Sequence, residues 1–236
     1  MIKLALVGKN IQHSKSPEIY HRLINGPLDY DLLDYSSNLD IPSAAELLSL
    51  FRGVSITSPY KKHFLSEVVL TEQAKMLGAI NCLKIENGNV VGENTDYMAI
   101  VEILKNWNIQ FQELNVVILG DGVMSKITAT ALENLKIEYR ILSRKLFDDF
   151  DQIDLEKYFT NHFSKTCQSL VINTCAREYV FRGRISKNSI FWDYNYNFHP
   201  HLSTLPIRVK QYCDGYEMLE LQARHALLFW SINTTI

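Results

Sequence analysis

The sequence predicts an α/β fold with two lobes, and three observations support that prediction. Strand-like and helix-like segments alternate along 236 residues, a length that suits one large domain or two small ones. Hydrophobic residues make up 47% of the chain, which is enough to bury a core and too many for a disordered protein. Several segments of the second half are continuous apolar runs, which are typical of parallel strands covered on both faces.

The first half of the chain alternates strands with helices before it reaches a predicted hairpin. Ser16 is expected to cap the first helix, with Pro17 in its first position, and Thr71 is expected to cap the third. Asn87 and Gly88 predict a tight hairpin turn because both readily adopt positive φ. The predicted strands and helices, in chain order, are IKLALVG, SPEIYHRLI, LDYDLLDY, IPSAAELLSLF, GVSIT and TEQAKMLG.

The second half predicts a doubly wound lobe, because apolar strands alternate there with some helical pattern. A long helix, DYMAIVEILKNW, is expected to connect the lobes, and the amphipathic segment EMLELQARHALLFWSI predicts a closing helix. We expect one lobe at 1–97, completed by the C-terminal helix 216–236, and the other at 98–215. The predicted strands of the second lobe are LNVVILG, IEYRILS, SLVINTC, SIFWDYN and IRVKQYC.

Charge and cysteine content exclude several classes of function. The formal net charge is −2 and the charges are interspersed, so neither a nucleic-acid surface nor a membrane-attracted face is expected. No segment approaches the ~20 apolar residues of a membrane span, so we expect a soluble, cytoplasmic protein. Monomer and homodimer both stay open as its oligomeric state. No two cysteines have the spacing of a zinc or redox motif, and no metal site is predicted. The four cysteines are Cys82, Cys167, Cys175 and Cys213.

The segment VVILGDGVMSKITATAL predicts a strand, a tight turn and a helix, which is the setting of a dinucleotide-binding turn. Gly120 suits the turn, and Gly122 lets backbone amides approach a pyrophosphate at the helix N-terminus. Ser125 stands where a third glycine is usual and is small enough to keep helix and strand close. Asp121 is the exception, since its carboxylate would occupy or repel the phosphate position. A turn that binds nothing is therefore the alternative.

The end of the following strand indicates which dinucleotide would bind. Sites that prefer an unphosphorylated ribose usually carry an acid about 20 residues after the glycine turn. Here YRILSRK ends in Ser143, Arg144 and Lys145, and the two cations suit a ribose 2′-phosphate. A solvated basic turn is the alternative. Together the two segments predict a Rossmann-like lobe that binds NADP(H).

Three polar segments in the first lobe are candidates for substrate chemistry. NIQHSKSPEIY places Ser14 and Ser16 beside a helix start, where they could bind a carboxylate or simply cap the helix. GVSITSPYKKHF delivers Thr57 from a strand and then Lys61 from a turn, although adjacent lysines are more often both exposed. GENTDYM places Asp96 at the start of the connecting helix, where an aspartate is also a common N-cap.

In their order and separations, these segments resemble the motifs of the shikimate dehydrogenase family, and the resemblance covers essentially the whole chain. HSKSP matches the family's serine motif, and SITSPYKK resembles N-V-T-V-P-x-K. The family motif G-A-x-N-T-L corresponds to GAINCL, and G-x-N-T-D corresponds to GENTD. The family motif I-N-A-T corresponds to INTCA, and the closing G-x-x-M-L-x-x-Q-A corresponds to DGYEMLELQARHALLFW. The segment LSRK stands where the family has N-R-T. The resemblance assigns substrate contacts to Ser14, Ser16, Thr57, Asn81 and Gln222, and cofactor contacts to Gly120, Gly122, Val123, Ser143, Arg144, Lys145, Gly215 and Met218.

The resemblance implies an N-terminal α/β substrate lobe, a doubly wound Rossmann-like dinucleotide-binding lobe, and a defined reaction. That reaction is the NADPH-dependent, reversible reduction of 3-dehydroshikimate to shikimate in aromatic amino-acid (chorismate) biosynthesis. Reduction of a ketone places negative charge on its oxygen, so an acid must supply a proton there. Lys61 is assigned this proton transfer, and Asp96 is assigned to orient Lys61 and to bind a substrate hydroxyl.

Departures from the family pattern leave two other functions open. Ser55 replaces an asparagine, Tyr97 replaces a glycine, and Asp121 alters the glycine turn. One alternative is a relative that acts on quinate or another cyclohexane acid with either NAD or NADP. The other is a binding module that keeps the substrate pocket but has lost hydride transfer. The joint presence of Lys61 and Asp96 favours an enzyme, because a binding module has no need of both.

Overall fold

The computed structural model describes residues 1–107, 114–158 and 168–234. The chain divides into two compact units, Met1–Ala99 with Leu219–Ile236 and Ile100–Met218. The chain crosses from one unit to the other within two helices, α4 (Thr95–Asn106) and α7 (Tyr216–Phe229). That one unit binds substrate and the other a cofactor stays a prediction at this stage.

The first unit contains a mixed six-stranded sheet in the order β2-β1-β3-β5-β6-β4. The strands β2 and β3 flank β1 in parallel, whereas β5 and β6 form an antiparallel hairpin and β4 pairs in parallel with β6. The predicted turn of that hairpin is confirmed, with φ of 51° at Asn87 and 77° at Gly88. The short strand β4 was not predicted. The strands are β1 (Ile2–Gly8), β2 (Leu28–Asp34), β3 (Gly53–Ile56), β4 (Val69–Leu70), β5 (Cys82–Glu86) and β6 (Asn89–Glu93).

Helices α1 (Ser16–Leu23), α2 (Ala44–Leu50) and α3 (Glu72–Leu77) belong to the same unit. Thr71 caps α3 as predicted, since its side chain accepts a hydrogen bond from the backbone N–H of Ala74. The predicted cap of α1 is wrong. Ser16 is the first helical residue rather than the N-cap, and its hydroxyl accepts from Ser14 Oγ at 3.2 Å instead of from a backbone amide.

The end of α7 is anchored in the core of the first unit. Trp230 is 1% exposed, and its Nε1 donates to the carbonyl oxygen of Leu83 at 2.9 Å. A Cβ at Gly53 would lie 2.5 Å from the indole of Trp230, so only glycine allows this close approach. The C-terminal segment therefore completes this unit through tight packing.

In the second unit, the described residues form five parallel strands in the order β11-β10-β9-β7-β8. The central strands β9 and β10 are buried throughout, as expected for a parallel sheet with two covered faces. The fold class is therefore confirmed. The elements are β7 (Asn115–Leu119), α5 (Val123–Asn134), β8 (Tyr139–Leu142), β9 (Ser169–Asn173), β10 (Ser189–Asp193), α6 (His199–Leu202) and β11 (Gln211–Cys213).

Two details of the second unit differ from expectation. The predicted strand IRVKQYC shortens to Gln211–Cys213, because Ile207 is 84% exposed and its neighbours form turns. Between β8 and β9 the described residues form only the short 3₁₀ segments Phe150–Gln152 and Leu155–Tyr158, and Cys167 lies outside the described residues. Within the described ranges, no helix is long and apolar enough to cross a membrane.

Parallel pairing brings the ends of neighbouring strands together. Leu119 at the end of β7 lies opposite Leu142 at the end of β8, and also opposite Asn173 at the end of β9. The turns that follow these strands therefore share one edge of the sheet, which is where open α/β sheets bind ligands.

Candidate active site

A buried ion pair joins Lys61 to Asp96. Lys61 Nζ lies 2.6 Å from Asp96 Oδ2, and each side chain is 10% exposed. The alternative of two exposed lysines is therefore wrong for Lys61, although it describes the exposed Lys62. A buried charge pair is costly to desolvate, and its retention is a reason to suspect a functional role.

Helix capping explains how Asp96 becomes available for this pair. Asn94, and not Asp96, caps α4, because Asn94 Oδ1 accepts from the backbone N–H of Tyr97 at 3.1 Å. The Nδ2 atom of Asn94 donates to the carbonyl oxygen of Ala79 at 3.0 Å, which fixes the cap in place. Asp96 stands in the first turn with its carboxylate directed to Lys61, so the alternative of an N-cap aspartate is wrong.

Glu93 connects this cap to helix α3, and it was not singled out from the sequence. Its Oε1 accepts from the backbone N–H of Asn94 at 2.7 Å, from Thr71 Oγ1 at 2.9 Å and from Gln73 Nε2 at 3.1 Å. The carboxylate thus joins the N-terminus of α3 to the turn that carries Asp96.

Two of the predicted amide side chains meet in the same unit. Asn81 is 3% exposed, and its Oδ1 accepts from the backbone N–H of Thr95 at 2.7 Å. Its Nδ2 donates to Thr95 Oγ1 at 3.0 Å and to Gln222 Oε1 at 3.5 Å. Gln222 comes from α7, so residues 141 positions apart converge beside the first turn of α4.

The serine motif packs beside two tyrosines that the sequence did not single out. Tyr20 and Tyr30 stack with ring centroids 5.0 Å apart, and Tyr20 Oη lies 3.4 Å from Ser55 Oγ. Burial raises the pKa of the Tyr30 phenol, while the nearby hydroxyls of Ser55 and Ser16 oppose that shift. No hydrogen bond to Tyr30 Oη is formed among the described residues, although the atom is buried. A polar ligand is the natural partner for such a hydroxyl.

Thr57 lies directly after β3 and is half-buried. Its backbone N–H donates to the carbonyl oxygen of Val7 at 2.9 Å. Its methyl carbon is 2.5 Å from the position that a Cβ on Gly8 would occupy, so β1 must end in glycine for Thr57 to approach. This packing holds Thr57 at the strand end that precedes Lys61.

The glycine turn of the second unit has the features of a phosphate site. Gly120 has φ of 107°, and Gly122 is the N-cap of α5 without a capping side chain. A Cβ on Gly122 would meet no atom within 4 Å, so there is open space beside the helix N-terminus. Val123 begins α5, which has no acidic residue in its first turn, and the buried hydroxyl of Ser125 has no partner among the described residues. These residues fit a dinucleotide pyrophosphate.

The carboxylate in that turn is engaged by the next strand's basic segment. Asp121 Oδ2 lies 2.6 Å from Lys145 Nζ, and the contact with Lys145 lowers the pKa of the Asp121 carboxyl. Ser143 is 4% exposed, and its Oγ accepts from the backbone N–H of Lys145 at 3.4 Å, which stabilises the loop itself. Arg144 is exposed, and its charge also lowers the pKa of Asp121. The three predicted phosphate contacts thus lie next to Asp121.

The remaining two predicted cofactor residues have evident packing roles. A Cβ on Gly215 would lie 2.2 Å from the carbonyl oxygen of Tyr194, so this position requires glycine whether or not a ligand binds. Met218 is 8% exposed in the first turn of α7. Throughout the described ranges, no group of three or more His, Cys, Asp or Glu residues could hold a metal ion.

Comparison with known proteins finds similarity to shikimate dehydrogenases. Residues 6–83 match the model of the shikimate dehydrogenase substrate-binding domain. The chain is 26% identical over 266 aligned positions to a shikimate dehydrogenase (NADP(+)) of Clostridium botulinum, covering 99% of this chain and 98% of that relative. The chain is thus similar to shikimate dehydrogenases over almost its whole length.

Solved structures of shikimate dehydrogenases share the fold. The enzyme of Aquifex aeolicus superposes with a TM-score of 0.79 at 22% identity, covering 98% of this chain and 92% of that one. The Thermus thermophilus enzyme, solved with NADP(H) and shikimate, superposes with a TM-score of 0.71 at 20% identity, covering 100% of this chain and 95% of that one. The match to the substrate-binding domain includes the serine motif, Thr57 and Lys61.

Proposed function

We propose that the protein is an NADP-dependent shikimate dehydrogenase, an oxidoreductase that acts on a CH–OH group in the pathway to chorismate. The buried Lys61–Asp96 pair is the observation that carries this proposal. A folding role explains such a pair poorly, because a well-packed apolar pair is often at least as stabilising as a buried ion pair. The full-length relatives named shikimate dehydrogenase (NADP(+)) support the same reaction.

The bound nicotinamide supplies the hydride, and this chain supplies the proton. As the ketone carbon accepts the hydride, its oxygen gains an electron pair and becomes negative. Lys61 Nζ donates a proton to that oxygen, which completes the hydroxyl of shikimate. In the oxidation direction, Lys61 would receive the hydroxyl proton of shikimate. Asp96, 2.6 Å from Nζ, holds the amine in position and compensates its charge.

Neutral hydrogen-bonding groups would recognise the substrate. We assign the binding of the substrate carboxylate to the hydroxyls of Ser14 and Ser16, whose Oγ atoms lie 3.2 Å apart. The buried hydroxyl of Tyr30 is assigned as a third donor. The ring hydroxyls are assigned to Thr57, Asn81 and Gln222, of which the two amides are already in contact. Loss of one buried partner should weaken binding by about 1–3 kcal/mol.

In the second unit, backbone N–H groups at the start of α5 would hold the pyrophosphate, and Arg144 would hold the ribose 2′-phosphate. The carboxylate of Asp121 points to Lys145, which argues against the binding module that lost activity because a carboxylate fills the phosphate site.

Initial-rate assays with four substrate pairs test the proposal. The purified protein is incubated with shikimate or quinate, each with NADP or NAD, and nicotinamide absorbance is followed. We expect the highest kcat/KM with shikimate and NADP. A higher kcat/KM with quinate would assign the protein to the alternative substrate, and no reduction of either cofactor would contradict the proposal.

A further inference from the structure

The strongest unexplained feature of the second unit is the ion pair between the glycine turn and the basic segment. Asp121 Oδ2 is 2.6 Å from Lys145 Nζ, and the side chains are 36% and 78% exposed. The pairing follows from topology, because β7 and β8 are adjacent parallel strands whose last residues, Leu119 and Leu142, lie opposite each other. Asp121 and Lys145 follow those strand ends by two and three residues.

The pair changes the charge that the basic segment offers to an anion. A ribose 2′-phosphate would meet two cations if Arg144 and Lys145 were both available. Here the Asp121 carboxylate occupies Lys145, and the contact keeps the pKa of that carboxyl below its usual range, so it is ionised at neutral pH. Among the described residues, Arg144 forms no ion pair. The pair Asp121–Lys145 is neutral as a unit, so one net positive charge faces the phosphate instead of two.

We propose that Asp121 is a specificity-determining residue that competes with the ribose 2′-phosphate for Lys145 and so lowers the preference for NADP(H) over NAD(H). This inference rests on the proposed function, since it concerns the same cofactor site. The carboxylate acts as an internal substitute for the phosphate. Because both side chains are substantially exposed, the pair is weak enough for a bound dianion to displace, and NADP(H) still binds.

Direct repulsion between Asp121 and the pyrophosphate would affect nucleotide binding differently from competition for Lys145. That repulsion would weaken every nucleotide with a phosphate at the 5′ position by a similar factor, whatever stands at position 145. Competition for Lys145 affects only nucleotides with a 2′-phosphate and requires the lysine. The two mechanisms therefore separate in a double-mutant cycle.

The test uses calorimetric titration of the protein with adenosine 2′,5′-bisphosphate and with AMP, which differ only in the 2′-phosphate. We compare wild type, Asp121→Asn, Lys145→Gln and the double variant, and measure the ratio of the two affinities. Asp121→Asn should raise the affinity ratio in favour of the 2′-phosphate roughly three- to tenfold in the protein with Lys145. The double variant should have the same ratio as Lys145→Gln alone. Lys187→Gln is the matched control, because this exposed lysine precedes β10 and lies at the opposite end of the strands.

Each result decides between the mechanisms. The inference is overturned if Asp121→Asn leaves the ratio of the two affinities unchanged. It is also overturned if Asp121→Asn raises that ratio equally in the presence of Lys145 and in the Lys145→Gln background. A change in Lys187→Gln equal to that in Lys145→Gln also overturns it, because the effect would then be one of net charge. Binding of neither nucleotide by any variant overturns both the inference and the proposed cofactor. The expected ratios without turnover of shikimate would overturn the proposed reaction alone.

Discussion

Lys61 Nζ and Asp96 Oδ2 lie 2.6 Å apart, although 35 positions separate the two residues along the chain. Each partner is held by its own backbone setting. The carbonyl oxygen of Lys61 accepts from the N–H of Ile80 at 2.8 Å, and Asp96 follows the cap formed by Asn94. The pair is therefore formed without a ligand on a hydrogen-bonded backbone, an arrangement that favours proton transfer in a transition state.

Replacement of Lys61 by methionine should lower kcat by orders of magnitude while it changes KM for shikimate little. The proton transfer is needed in the transition state, whereas neutral groups supply most of the ground-state binding. Steady-state kinetics with shikimate and NADP measure the effect. Lys62→Met is the matched control, since Lys62 is the exposed neighbour, and its kinetics should equal those of wild type. A comparable loss in both variants would contradict the role of Lys61.

The ion pair also makes a prediction about stability. Either Lys61→Met or Asp96→Asn alone should lower the free energy of unfolding, by about 3–5 kcal/mol where the remaining partner stays charged and buried. The double variant should recover a large part of that loss, because no buried charge remains. Urea denaturation of all four proteins gives the coupling energy. Additive losses in the double variant would mean that the two side chains do not interact in solution.

Tyr30→Phe should have opposite effects on stability and on substrate binding. The Tyr30 hydroxyl is buried without a partner among the described residues, so its removal should leave the free energy of unfolding unchanged or slightly higher. If the hydroxyl binds the substrate carboxylate, KM for shikimate should rise roughly 5- to 150-fold, the equivalent of 1–3 kcal/mol. Tyr20→Phe is the control, since the Tyr20 hydroxyl already contacts Ser55. An unchanged KM in Tyr30→Phe would remove Tyr30 from the site.

The serine motif and Thr57 should act mainly on substrate affinity. Ser14→Ala, Ser16→Ala and Thr57→Val each remove a hydrogen bond that ground state and transition state share, so KM should rise more than kcat falls. Ser16 does not cap α1, so its replacement should not lower helix stability as loss of a cap would. If kinetics are unchanged in all three variants, these residues serve only to shape the turn.

Asn94, which caps α4, should affect the rate through the position of Asp96. Asn94→Ala removes the cap of α4 and should lower the free energy of unfolding by ~1 kcal/mol. It should also lower kcat, because Asp96 would lose its fixed place beside Lys61. Asn94→Ser keeps a capping oxygen and buries no charge, but it loses the donation to the carbonyl oxygen of Ala79, so it should recover only part of both losses. A full loss of stability with unchanged kcat would show that the cap does not position Asp96.

Periodicity and turn residues were sufficient for most of the fold. The alternation of strands and helices, the Asn87–Gly88 turn and the buried parallel strands all follow from local pattern. The cap of α1 and the length of β11 could not be predicted, because the first depends on the local turn geometry around Ser16 and the second on tertiary packing. Ser16 bonds to Ser14, and Ile207 finds no core to enter.

Ordered motifs predict the candidate site residues, whereas contacts with partners from distant strands cannot be predicted from such motifs. Lys61 and Asp96 were named from the family resemblance, but only folding reveals that Asn94 takes the capping role. Tyr30 lies in strand β2, where the sequence pattern does not distinguish a ligand-binding tyrosine from one that only packs. The contact of Asp121 with Lys145 depends on the register between β7 and β8, which single-residue patterns do not encode.

The most direct test of the central claim is the rate of shikimate oxidation by a variant in which both members of the ion pair are replaced by neutral residues. The Lys61→Met, Asp96→Asn double variant should unfold at nearly the same urea concentration as wild type, so a change in rate reports chemistry rather than loss of structure. We predict that wild type forms NADPH from NADP only when shikimate is present, and that the folded double variant does so slower by orders of magnitude. Turnover of the double variant near that of wild type, or no shikimate-dependent NADPH formation by wild type, would contradict the claim.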